Sequence, residues 1–357
     1  MHCTFAAATH EPAARLAAEL VEVAPPGLDR VFYSDNGSTA VEVALKIAFQ
    51  YWQQNGQPGR KRFLALPGAY HGDTLGAMSA GAVNEFSSVF RPLLFDVSRP
   101  AEPVDHDWAP VFDALFAELS EEGDGIAAVI VEPIVQGAAG MRMYPPALLA
   151  ELRQKTEQAG ALLIADEVFT AFGRTGPMWA SEHAGITPDL LCTAKGLSGG
   201  MLPISATLAT GRVYDGFRGD KSRALMHGHT FCGNPLGAAI ALEVLSVYED
   251  EKILARARPK ADRIAAAFAA MGDLPSVSNA RAIGMIGALD LAGDAGYLAD
   301  AGWRVFDEAR ERGAYLRPLG NVVYIAPPLN ISDADLDELL GIVRESVEAA
   351  TQGSRAR

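Results

Sequence analysis

Short runs of strand length, several of them apolar on consecutive positions, recur through the first 250 positions of the chain, at residues 30–33, 62–66, 126–132, 161–165, 190–193 and 204–210. Stretches of helical periodicity separate them. A strand that is apolar on successive positions has no face to offer to water, so the pattern predicts a mostly parallel sheet covered by helices on both sides. In such α/β folds ligands bind beyond the carboxyl ends of the strands. Thr9-His10-Glu11-Pro12 reads as the cap and first turn of a helix that runs to residue 23, and a second helical run covers residues 41–54. After about residue 250 the pattern changes. An Ala-rich, Arg-dotted helical stretch over residues 251–271 leads into a Gly-punctuated segment and a last helix over residues 333–350. The predicted organisation is therefore a large lobe, residues 1–250, and a small lobe, residues 251–357. No repeat, low-complexity tract or long polar linker separates them, which predicts firm packing between the lobes.

Composition narrows the partners. At 357 residues the chain exceeds what a single core usually serves. Its 44 Asp and Glu against 30 Lys and Arg give a formal charge of -14, which disfavours nucleic acid and anionic membranes. Cys3, Cys192 and Cys232 are widely spaced and form neither a C-x-x-C pair nor an even disulfide framework, which fits a reducing cytoplasm. No apolar run approaches the ~18 residues of a membrane span, and the first residues lack the basic and apolar regions of an export signal.

Candidate chemistry gathers at the predicted strand ends. Lys195 closes the run Leu190-Leu191-Cys192-Thr193-Ala194 and is followed by Gly196, Gly199 and Gly200. A lysine in a poorly solvated strand-end site loses affinity for its proton and becomes an amine able to condense with an aldehyde. Asp166 and Glu167 close another run, 29 positions before Lys195. A buried aspartate there suits a pyridine nitrogen that must keep its proton. Ser34-Asp35-Asn36-Gly37-Ser38-Thr39 is a turn opening a helical run, where backbone amides receive phosphate. Tyr70 and His71 end a further strand, and Tyr70 is placed to stack on an aromatic group. Two motifs point elsewhere. Gly196-Leu197-Ser198-Gly199-Gly200 fits a G-x-S-x-G nucleophile turn, with Asp220 and His227 or His229 as nominal partners. Gly123-Asp124-Gly125 fits a loose dinucleotide fingerprint but precedes its strand, so it cannot form the strand-to-helix turn a pyrophosphate needs.

The Gly-Ser-Thr turn, Tyr70-His71-Gly72, Glu132-Pro133, Gln136-Gly137, Asp166-Glu167, Phe172-Gly173-Arg174-Thr175-Gly176, Lys195-Gly196 and Gly233-Asn234-Pro235 together resemble the class III aminotransferases of fold type I. The likeness covers nearly the whole chain. It implies a homodimer with shared active sites and pyridoxal 5′-phosphate carried by Lys195 as a Schiff base. Asp166 would hold the pyridinium, and Gly37 and Ser38 the phosphate, joined by Thr230 of the neighbouring subunit. Tyr70 and Val168 would lie against the two ring faces. Within the family, Gln50-Tyr51-Trp52-Gln53, the segment from Gln136 to Tyr144, Met226-His227-Gly228 and Leu316-Arg317-Pro318 resemble the branch that serves biotin synthesis. That branch implies S-adenosylmethionine as amino donor and 8-amino-7-oxononanoate as acceptor, with 7,8-diaminononanoate as product. Tyr70, Lys195, Gly228 and Arg317 would touch substrate, the Arg317 fork matching a carboxylate. No metal is implied.

Departures from the family pattern leave other readings open. Ala138 stands where many relatives have a Glu that pairs with an arginine, and Phe169 where they have Gln. His229 stands where members using S-adenosylmethionine usually have Pro. The family's N-terminal stretch, with a Ser-Ser-Trp-Trp-like segment, is expected to be missing. The alternatives are a class III enzyme acting on a diamine or ω-amino acid, and an inactive, shortened homologue that still binds the cofactor.

Overall fold

The computed structural model describes residue 5, residues 8–82, 84–293, 296 and 298–352, so Cys3 lies outside the described residues. The strands are β1 (Leu28–Ser34), β2 (Arg62–Ala65), β3 (Ile126–Val131), β4 (Val135–Gln136), β5 (Arg142–Met143), β6 (Leu162–Asp166), β7 (Leu190–Thr193), β8 (Ser205–Thr210), β9 (Val277–Ile283), β10 (Ile286–Leu291) and β11 (Val322–Ile325). The helices are α1 (Glu11–Val23), α2 (Gly37–Gln54), α3 (Leu75–Ala80), α4 (Asn84–Ser87), α5 (Ala109–Glu122), α6 (Pro146–Ala159), α7 (Gly211–Asp215), α8 (Pro235–Asp250), α9 (Ile253–Met271), α10 (Ala301–Glu311) and α11 (Asp333–Gln352).

The large sheet has the order β1-β8-β7-β6-β3-β2. Its neighbours from β7 to β2 are parallel, while β8 is antiparallel to both β7 and β1. Two antiparallel steps restore direction, so β1 runs the same way as β7. The carboxyl ends of β1, β2, β3, β6 and β7 thus share one rim, together with the start of β8. Side chains alternate between two covered faces. Phe63, Ala128, Ile130, Leu162 and Ile164 pack beneath α2. Leu64, Val129, Val131 and Leu163 face α5 and α6, and Leu191, Ala206 and Leu208 face α1 and α8. All of β3 is fully buried, at roughly 1.5–3 kcal/mol for each large apolar side chain withdrawn from water. That burial on both faces is why the run is apolar throughout.

Element ends moved where capping decides them. Helix α1 is capped by His10, whose Nδ1 accepts from Ala13 N at 3.2 Å, and not by Thr9. Helix α2 begins at Gly37, four residues before the predicted apolar run, because Asn36 and Thr39 form a reciprocal capping box. The predicted stretch over residues 251–271 is α9 alone, preceded by a left-handed Lys252 that separates it from α8. The small sheet, β11-β10-β9, packs with α9, α10 and α11 around a core of its own. Among the described residues no helix is long and apolar enough to cross a membrane.

Arg174 ties the segment after β6 to the small sheet. Its Nη1 donates to Pro327 O at 2.8 Å and to Met285 O at 3.3 Å, and its own carbonyl accepts from Met285 N at 3.0 Å. Gly284 makes this approach possible. A Cβ there would lie 2.5 Å from Gly176 N and 2.6 Å from Arg174 O, nearer still to Thr175 C, on a backbone at φ +53°. Rigid backbone on one side and a left-handed conformation on the other leave no room to relax. Gly284→Ala is therefore expected to destabilise the protein by about 2 kcal/mol or more, read as a lowered urea midpoint.

Candidate active site

The shared rim opens onto a cavity of about 1070 Å³. Most of the wall is loop that follows a strand, residues 35–38 after β1, 70–74 after β2, 132–141 after β3, 166–169 at the end of β6 and 194–200 after β7, joined by Arg317, Leu319 and Tyr324 before and within β11. Gly37, Ser38, Tyr70, Asp166, Val168, Lys195 and Arg317, expected from sequence to act together, all line it. Gly228 and Thr230 do not. They lie exposed on the segment before α8, where His229 Nε2 stands 3.5 Å from Asp35 Oδ1 and His227 Nδ1 is 2.9 Å from Lys46 Nζ.

The start of α2 presents donors to this cavity. The capping box engages the N–H groups of Asn36 and Thr39, and Ala40 N donates to Asn36 O at 3.1 Å. The N–H groups of Gly37 and Ser38 have no partner among the described residues and stand at the positive end of an 18-residue helix. A Cβ on Gly37 would come within 2.6 Å of Val168 Cγ1, so glycine is what allows the helix start to lie against that side chain. The Ser38 hydroxyl is 2.6 Å from Thr74 Oγ1. Thr74 also lines the cavity and is a polar wall residue that sequence reasoning passed over.

The cavity floor is a desolvated group of acids and a histidine. Asp166 is buried, its Oδ2 2.7 Å from His71 Nδ1 and its Oδ1 accepting from Val168 N at 3.1 Å. His71, placed by the sequence at a strand end with no role of its own, is the partner that orients this carboxylate, and its Nε2 is buried with no partner among the described residues. Glu132 accepts from Tyr70 N and Gly137 N, each at 3.0 Å. Burial raises its pKa to about 7, with His71 opposing, Asp166 adding and the two N–H bonds opposing. Tyr70 is half-buried beside Phe86, their rings edge to face with centroids 5.5 Å apart. Its hydroxyl is pushed up to about 12, by burial first and then by its hydrogen bond to Asp73.

Lys195 begins a short 3₁₀ turn, Lys195–Ser198, in a left-handed conformation at φ +25°. A non-glycine residue in that region stores strain of the kind that concentrates at functional sites. Its Nζ lies 5.2 Å from the Phe169 ring centroid. The expectation of a poorly solvated amine needs correction, since Lys195 is exposed in this chain. The turn lifts it off the buried end of β7 into an open cavity. The hydrolase reading also fails on geometry. Asp220 accepts from Ser222 N at 2.8 Å, the two histidines face Lys46 and Asp35, and no hydrogen bond among the described residues joins them to buried Ser198. Gly123–Gly125 forms a 3₁₀ turn ahead of β3, on the wrong side of the strand for a dinucleotide.

A model of the aminotransferase class-III family matches residues 1–347. The adenosylmethionine-8-amino-7-oxononanoate aminotransferase of Synechococcus elongatus is 45% identical, over 97% of this chain and 83% of its own length. The crystal structure of the Methanocaldococcus jannaschii protein of that name superposes with a TM-score of 0.93 at 34% identity, covering 98% of this chain and 82% of the other. An amine transaminase from an uncultivated Pseudomonas species, solved with PLP bound, gives a TM-score of 0.88 at 35% identity, with 97% and 82% covered.

Adjacent acids in this site have different work. Glu167 turns away from the cavity, accepting from Ala180 N at 2.7 Å, Ser181 N at 2.8 Å and Thr170 Oγ1 at 2.9 Å, and from the Ser181 hydroxyl. Removing it strands buried donors. Glu167→Ala is expected to cost about 3–5 kcal/mol, whereas Asp166→Asn, which keeps shape and one acceptor, should move the denaturation midpoint far less.

Proposed function

Because the chain belongs to the class III aminotransferase family, we propose that it transfers an amino group to the ketone of 8-amino-7-oxononanoate, giving 7,8-diaminononanoate for biotin synthesis, with S-adenosylmethionine as donor. The observation that carries the reading is one cavity holding a lysine, a buried aspartate, unfilled amides at a helix start and an arginine. That set fits pyridoxal 5′-phosphate: an anion site at Gly37 and Ser38, a carboxylate for a ring nitrogen at Asp166, and Val168 opposite Tyr70 for a flat ring. When bound, the cofactor supplies an electron sink for the substrate carbon that bears nitrogen.

The chain's residues do the rest. Gly37 N–H and Ser38 N–H bind the phosphate, and Thr230 of a second copy joins them. Asp166, oriented by His71, keeps the ring nitrogen protonated. In each half of the cycle Lys195 Nζ would carry the proton between the substrate carbon that bears nitrogen and the cofactor, so that every proton it takes is delivered before product leaves. Arg317 receives the acceptor's carboxylate as a bidentate guanidinium does, and Gly228 borders the substrate. Dimerisation is supported by large apolar side chains left in water near the rim, among them Met201, Met226 and Leu236. Free thiols at Cys192 and Cys232 support assignment to the cytoplasm.

Steady-state assays with 8-amino-7-oxononanoate as acceptor test the substrate, and absence of turnover with every donor would refute it. Lys195→Ala is expected to lose roughly 10³-fold or more in kcat, and borohydride should no longer fix cofactor to the chain. Thr230→Ala should weaken cofactor binding about tenfold through one lost hydrogen bond to an anion, measured by cofactor release on dilution, with the dimer intact by sedimentation.

A further inference from the structure

The loop after β3 is strained in a way the reaction chemistry does not require. Ile134 sits at φ +68° and Met141 at φ +52°, and a β-branched residue in that region is a true outlier. Such strain persists only where surrounding bonds over-determine it. Here many of those bonds converge on one residue. Glu132 Oε2 accepts from Gly137 N at 3.0 Å inside the hairpin, and its carbonyl accepts from Tyr144 Oη at 2.8 Å at the hairpin's end. Its other oxygen, Oε1, leaves the hairpin and accepts from Tyr70 N at 3.0 Å. Gln136 adds a parallel tie, Nε2 donating to Pro67 O at 2.9 Å. The hairpin supplies Gly137, Ala138 and Met141 to the cavity, and the other loop supplies Tyr70.

We propose that Glu132 is a positioning residue whose two carboxylate oxygens fasten the strained hairpin of residues 133–144 to Tyr70, so that two walls of the substrate cavity hold their spacing only while this carboxylate is ionised. Both partners are N–H donors, and an ionised carboxylate serves both. Once protonated, one oxygen carries its own proton and competes with a donor. The groups facing Glu132 are His71 and Tyr70 from the loop after β2, Asp166 at the end of β6, and Tyr144 closing the hairpin. Burial holds its pKa near the neutral range, at about 7. The walls therefore loosen as pH falls through 7.

The proposal deepens the transamination reading and rests on it only for its kinetic arm. In the holoenzyme, hydrogen exchange of the Tyr70 and Gly137 amides, corrected for intrinsic rates, is expected to lose about tenfold in protection from pH 8 to pH 6. Glu132→Gln should show the low protection at both values. In kinetics, KM for 8-amino-7-oxononanoate should rise about tenfold or more in Glu132→Gln, with a smaller fall in kcat, and the inflection near pH 7 should disappear. Glu132→Asp should restore that inflection in part. Protection that is flat with pH in the unaltered protein overturns the proposal, even if the variants fail to fold. So does Glu132→Gln with unchanged protection. Absence of turnover with this acceptor alongside the expected exchange would refute the substrate and leave the role of Glu132 standing.

Discussion

The register between β6 and β7 sets the position of everything else in the site. Asp166 pairs with Cys192 across parallel strands, so the chain leaves both strands at the same height and on the same side. Lys195 follows three residues later. A one-residue slip would turn Asp166 into the opposite face. It would also pull Leu191 and Ile164 out of the cores on either side of the sheet. Hydrophobic burial on both faces is thus what fixes the relative positions of Asp166 and Lys195 at the rim.

Concentrating acids on one desolvated rim costs free energy, and the structure meets that cost three different ways. Glu167 is saturated with donors from the following loop. Asp166 takes His71 and one backbone amide. Glu132, with two backbone amides and Asp166 as a neighbour, keeps a pKa near neutrality. Burial raises the pKa of Glu132 and of Glu167, and the hydrogen bonds each accepts oppose it. Carboxylates within one small region are therefore held in different ways: Glu167 by the loop that follows it, Asp166 by a histidine, and Glu132 by two backbone amides from two loops.

The sheet was legible in the sequence because burial on both faces leaves a local mark, runs of consecutive apolar residues whose ends fall within two positions of the observed strands. The cavity residues at strand ends were legible for the same reason. Pairings across the sheet were not. His71 meets Asp166 over a separation of 95 residues, and Tyr70 meets Glu132 over 62. Nothing near either residue encodes those contacts, which arise only once β2, β3 and β6 stand side by side. The start of α2 was misjudged because apolar periodicity begins at Val41, whereas the helix is nucleated by the polar pair Asn36 and Thr39. Those polar residues have little hydrophobic signal and all the capping chemistry.

The exposure of Lys195 alters the physical account of its reactivity. Sequence reasoning assigned desolvation to the fold, as if the end of β7 buried the amine. The strand does end buried, at Thr193 and Ala194. The left-handed turn at Lys195 then carries the side chain away from that core toward Phe169. Had the strand continued, its alternation would have sent position 195 to the same face as Thr193, into packed interior where a lysine cannot stay charged cheaply. The strain at this one residue, of order 1–3 kcal/mol, is the cost of moving the amine from core to cavity. What the fold of this chain contributes at Lys195 is position.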